Sequence, residues 1–118
     1  MRGRAWLVRR LDSPGGCYYL VELGTPGSAL GAATVDAQSE AVGVFARLSG
    51  VGSHVTTDAA LAIELAGGGE SAGLVWTPCR VSKSPLYPFW EVKTRTGLRY
   101  VDLQGKVFEG ISPTGPGG

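Results

Sequence analysis

The sequence predicts an α+β fold: two related antiparallel β-meander units with one short helix packed on the sheet. Three observations carry this. Short runs rich in β-branched and aromatic residues recur between turn signals. One segment alone carries a helix start, a helix body and a helix stop. A Val-Asp-x-Gln stretch followed by a return into Val and Phe is written twice, as "ATVDAQSEAVGVF" and "RYVDLQGKVFEGI".

The elements follow in order. "RAWLVRRL" reads as a strand that runs into the turn signal "DSPGG", and "CYYLVEL" returns from it as the second half of a hairpin. "GTPGSALG" interrupts the pattern and "AATVDA" resumes it, giving three strands in the first third of the chain. "SEAVGVFARLSG" could be capped as a helix by Ser39, but Val42, Val44, Ala46 and Leu48 alternate. Gly43 costs a helix about 1 kcal/mol relative to Ala, so a strand is preferred.

"TTDAALAIELAGGG" is the helix, from about Asp58 to Ala66 with Leu61 and Leu65 on one face. Thr57 or Asp58 can accept from the free amides of the first turn, and Gly67 to Gly69 end it. So short a helix needs a sheet to pack on. Beyond it, "AGLVWTPC", "FWEVKT", "LRYVDL" and "KVFEGI" are four strands, the last three joined by the tight turns "TRTG" and "LQG". Asp36 and Asp102 stand at equivalent turn entries, where a short carboxylate accepts from amides just ahead. Gly105 supplies a left-handed residue in the second turn; Ser39 and Glu40 stand there in the first, which predicts a longer or bulged turn. The organisation is one domain over 1–112, with repeat units at about 5–48 and 56–112 and a flexible tail at 113–118.

Composition excludes several classes of function. Eleven Lys and Arg against ten Asp and Glu create no field for nucleic acid or an anionic membrane. The apolar stretch Ala5 to Val8 is too short for a signal-peptide core, and no run approaches a membrane span, so a cytoplasmic location is the default. The chain has no Asn and abundant Gly, Ala, Val and Arg, a bias of GC-rich bacterial genomes.

Chemistry has few candidates. Cys17 and Cys79 have no metal-type spacing; two free, partly buried thiols are preferred, with a single disulfide between them as the alternative. The only His, His54, sits in a Gly/Ser connector and reads as an exposed loop residue; with the two cysteines it defines a rival reading, a small thiol-dependent enzyme or sensor. "GTPGSALG" and "AGGGESAG" lack Walker spacing and read as linkers or turns. Acidic residues are scattered singly. No catalytic residue, metal or cofactor is therefore expected.

The second repeat, with the helix ahead of it, resembles the PepSY domain, in which a helix precedes an antiparallel sheet closed by a "Y-x-V … YVD-x-x-G-K-V" signature. Trp90, Val92, Tyr100, Val101, Asp102, Gly105, Lys106 and Val107 carry the likeness, with Tyr19, Val21, Val35 and Asp36 as a degenerate first copy. The helix and second copy cover about half the chain. The resemblance implies a module that acts by binding or inhibition, as in exported bacterial proteins and protease propeptides.

One segment suggests where binding could occur. "VWTPCRVSKSPLYPFW" gathers two tryptophans, a tyrosine, three prolines, an Arg and a Lys between strands. Trp76 and Phe89 read as core, whereas Arg80, Lys83 and Tyr87 are the candidate partner-binding residues. Pro85 and Pro88 cannot donate to a ladder, so this loop belongs at a rim. The expectation is a non-catalytic PepSY-like binding or regulatory module with a protein partner, or alternatively a subunit that self-associates through a sheet edge, possibly as a homodimer. On the same argument Val92, Val101 and Val107 should be buried.

Overall fold

The structure, a computed structural model, describes residues 2–13, 15–25 and 27–111. The tail expected at 113–118 lies outside the described residues. Eight strands form a single sheet in the order β4-β3-β2-β1-β5-β6-β7-β8. They are β1 (Arg2–Arg10), β2 (Cys17–Thr25), β3 (Ser28–Asp36), β4 (Val42–Arg47), β5 (Ser71–Trp76), β6 (Phe89–Thr94), β7 (Gly97–Asp102) and β8 (Val107–Phe108). Short turns, and between β5 and β6 the longer loop 77–88, make neighbours in sequence into antiparallel neighbours in space on both sides of the sheet. The two sides join through β1 and β5, which pair in parallel with Val8 opposite Leu74 and Arg10 opposite Trp76. That parallel pair requires a long crossover, and residues 48–70 supply it with the helix inside.

The helix α1 (Ala59–Leu65) begins where Asp58 accepts from the Leu61 amide at 2.8 Å. It ends where the amides of Gly67 and Gly68 close back on the carbonyls of Glu64 and Ile63, at 3.1 and 2.8 Å. Both glycines have positive φ, as that closure demands. The buried face differs from the sequence expectation. Ala62 is fully buried, with Ala59, Ile63 and Ala66 packed beside it, while Leu61 and Leu65 are each about 40% exposed (39% and 43%). A small-residue face lets the helix lie close to the sheet, and the leucines border the seam.

The register fixes which side chains share a face, because opposed residues in a ladder point the same way. One face carries Val8, Tyr18, Leu20, Leu74, Trp90, Val92 and Val101, all buried. Here α1 and the connectors pack: Trp90 Nε1 donates to the Thr57 carbonyl and the Tyr18 hydroxyl to the Pro85 carbonyl, each at 2.7 Å. Val107, expected in the core, is 40% exposed, since β8 is a two-residue edge strand with no further strand beside it among the described residues.

Both Asp turns are built alike. Asp36 Oδ1 accepts from the amides of Gln38 and Ser39, and Asp102 Oδ1 from those of Gln104 and Lys106. The first turn closes from the Asp36 amide to the Ala41 carbonyl and the second from Asp102 to Lys106, so the first is longer by one residue. The left-handed position falls to Glu40 (φ 63°) in the first and to Gly105 (φ 98°) in the second.

Candidate functional site

In its β1–β4 half the opposite face of the sheet bears no helix among the described residues. Across β4, β3, β2 and β1 it presents Phe45, Ala33 and Val21 in one row and Val35, Tyr19 and Leu7 in the next. Phe45 is 56% exposed, Leu7 53% and Tyr19 42%. These side chains alternate with the buried set on the other face, as a one-sided sheet dictates. Toward β8 the same face closes on itself: Phe89 meets Phe108 edge to face at 5.9 Å, and Val75 is buried. Between the two halves Arg9 donates to Glu91 at 3.0 Å and the Tyr100 hydroxyl bonds the same carboxylate at 3.1 Å. The apolar area therefore covers the β1–β4 half and is bounded by an ion pair. Burial and the Glu91 charge both raise the Tyr100 pKa, so its hydroxyl stays a donor.

The loop "RVSKSPLYP", residues 80–88, expected to project at the rim, lies with the rest of the 77–88 connector against the covered face. Cys79 and Ser82 exchange amide–carbonyl bonds at 3.0 and 3.2 Å. Ser82 Oγ accepts from Trp76 Nε1 at 3.2 Å and donates to the Tyr87 carbonyl at 2.7 Å. Leu86 and Cys79 are buried beneath it, and Arg80, Lys83 and Tyr87 are exposed on its outer side. These three are thus presented by a pinned loop, on the side of the sheet away from the bare face.

His54 is not the exposed loop residue expected from its Gly/Ser surroundings. It is half-buried, with Nε2 at 2.6 Å from the Leu86 carbonyl and its ring 5.0 Å from that of Tyr87. Cys79 Sγ faces the Ser82 carbonyl at 3.5 Å, Cys17 is half-buried, and both thiols are free. His54 Nε2 is engaged with backbone, and among the described residues neither thiol is hydrogen-bonded to the imidazole. Among the described residues no group of three or more His, Cys, Asp or Glu side chains is arranged to hold a metal, and no helix is long and apolar enough to cross a membrane.

One structural residue escaped the sequence reading. Glu22, 5% exposed, lies in a strand on the covered face and accepts from Arg4 Nε at 2.9 Å and from the amides of His54 and Val55. Burial alone would raise its pKa; the hydrogen bonds from Arg4, His54 and Val55 outweigh that and hold it below the ordinary carboxylate value. It anchors the connector that leads to α1. Only its place among the apolar residues of β2 hinted at burial.

Comparison with protein-family models, with curated proteins and with solved structures returns no match for this chain.

Proposed function

We propose that the chain is a non-catalytic protein-binding module that works as a homodimer, with the bare face of β1–β4 as its docking surface. The observation that carries this is the exposed Leu7, Tyr19 and Phe45 around a half-buried Val35, on a part of the sheet face that no helix covers among the described residues. A second copy suits this face better than a charged partner. Its interior carries no ionised side chain, its charges stand at the border, and with a formal net charge of +1 two copies repel each other little. Four strands at roughly 4.8 Å spacing and about 20 Å of length give a projected face of about 400 Å². Two such faces make about 800 Å², the size of a weak, concentration-dependent association. Aligned packing of two sheets is an ordinary way to bury such surfaces.

The repeat read in the sequence is compatible with a module of this kind: Tyr18 lies opposite Asp36 as Phe89 lies opposite Asp102, with the two pairs on opposite faces of the sheet. The likeness to PepSY domains, which act by binding, points the same way. Light scattering tests the proposal. The native chain should approach twice its 12.3 kDa mass as concentration rises, and Leu7→Glu with Phe45→Glu should keep it monomeric and folded. A native chain that stays monomeric at high micromolar concentration, or a double variant that still dimerises, would overturn it.

A further inference from the structure

The sheet is open, and its two edges are unlike. β8 is two residues long, whereas β4 runs for six and is exposed on both faces. β4 also carries few of the features that discourage pairing at an edge. It contains no Lys and no Pro, and its one charge, Arg47, forms no ion pair among the described residues. A bulge is the exception: Gly43 and Val44 both oppose Thr34, where the register breaks between Ala33 and Val35 and the Val44 amide bonds Thr34 Oγ1 at 2.9 Å. Regular pairing is thereby confined to the stretch from Val44 onward.

The ladder fixes which backbone groups are free. The Leu48 amide donates to the Leu30 carbonyl at 2.9 Å, and the register continues with Arg47 opposite Gly31 and Ala46 opposite Ala32. Bonded and non-bonded pairs alternate between antiparallel strands, so Ala46 and Leu48 turn their backbone groups to β3 while Phe45 and Arg47 turn theirs outward. A second β4 can pair with this edge about a two-fold axis only if opposed residues share a face, which requires the axis to pass through a residue and its own mate. An axis at Val44 or Phe45 draws the bulge into the ladder, and an axis at Arg47 opposes like charges. An axis at Ala46 meets neither obstacle. It sets the outward Phe45 of each copy against the outward Arg47 of the other, so that both bonds of each pair are exchanged and a guanidinium lies beside an aromatic ring. On the other face it brings Val44, 37% exposed, against the half-buried Leu48 of the second copy, and Ala46 against Ala46.

We propose that two copies join through β4, antiparallel and centred on Ala46, so that their sheets run on as one. This contact lies at the edge, apart from the packing of the bare faces, and only Phe45 borders both. It rests on few backbone bonds and is the weaker of the two, formed above the concentrations that double the mass. The test is amide hydrogen exchange of the full chain at about 0.1 mM and about 5 mM. The amides of Phe45 and Arg47 should exchange freely at the lower concentration and slow about tenfold or more at the higher. The Ala46 amide, held by β3, should be slow at both. Arg47→Pro removes an outward donor that β3 does not use, and Phe45→Arg opposes like charges across the edge; each should abolish the added protection while Ala46 stays slow. Packing of the bare faces alone would shield the Tyr19 side chain and leave the Phe45 and Arg47 amides fast, so failure of one contact is read apart from failure of the other. Amides of Phe45 and Arg47 that stay fast at about 5 mM, protection that shifts to Val42 and Gly43 with Arg47 fast, or protection that survives both substitutions would overturn the proposal.

Discussion

Asp36 and Asp102 occupy the same place in two turns: each carboxylate accepts two amides ahead of it, and each residue closes its turn through its own amide. The amides bonded to Asp36 stabilise its ionised form and lower its pKa. The left-handed residue differs, Gly105 in the shorter turn and Glu40 in the longer. Opposite responses to mutation follow. Gly105→Val should destabilise by about 1 kcal/mol or more, through backbone strain and through a Cβ placed 3.2 Å from Leu65 Cδ1. Asp102→Ala should cost about 1 kcal/mol. Glu40→Gly should stabilise by a few tenths to about 1 kcal/mol by relieving φ strain. Urea midpoints check all three, and a destabilised Glu40→Gly would separate the two turns.

The Glu22 anchor predicts a pH dependence with a definite sign. Its folded pKa lies below the unfolded value of about 4.3, so its contribution is present in full above that value. The contribution is lost as pH falls through the lower folded pKa. Glu22→Gln should therefore cost about 1–3 kcal/mol at pH 7 through weakened bonds to Arg4, His54 and Val55. The difference between variant and native protein should shrink near pH 3. Denaturant titrations at the two pH values measure it, and a gap that does not narrow would mean that Glu22 acts through packing alone.

The helix seam makes a third prediction. Ala62→Leu should cost about 1–3 kcal/mol by forcing α1 off the sheet. Leu61→Ala should cost less than about 1 kcal/mol, because Leu61 is 39% exposed. The reverse order in thermal denaturation would place the leucines, not the alanines, at the seam.

Local features of this fold were legible in the sequence and distant ones were not. Asp58 and the three glycines bounded α1 correctly, and the alternation around Val42 to Leu48 showed a strand, because caps and periodicity act over a few residues. The parallel pairing of β1 with β5 joins segments more than sixty residues apart, and nothing in "RAWLVRRL" records its partner. The leucines of α1 drew attention by size, whereas close approach to the sheet favours alanine. Val107 was read as buried from its type, but burial at an edge depends on a further strand. The surfaces show the same division. Exposed Arg80, Lys83 and Tyr87 were readable from a proline-stiffened loop, while the groove that Gly67 to Gly69 share with the β6–β7 turn joins segments over twenty residues apart that meet only through the sheet.

Hydroxyl-radical footprinting across a concentration series tests the docking face most directly, because Tyr19 and Tyr87 are about equally exposed, at 42% and 47%, on opposite sides of the sheet. As the mass doubles, oxidation of Tyr19 and Phe45 should fall severalfold while that of Tyr87 stays constant. Protection of Tyr87 with Tyr19 unchanged would move the interface to the 77–88 loop and contradict the account.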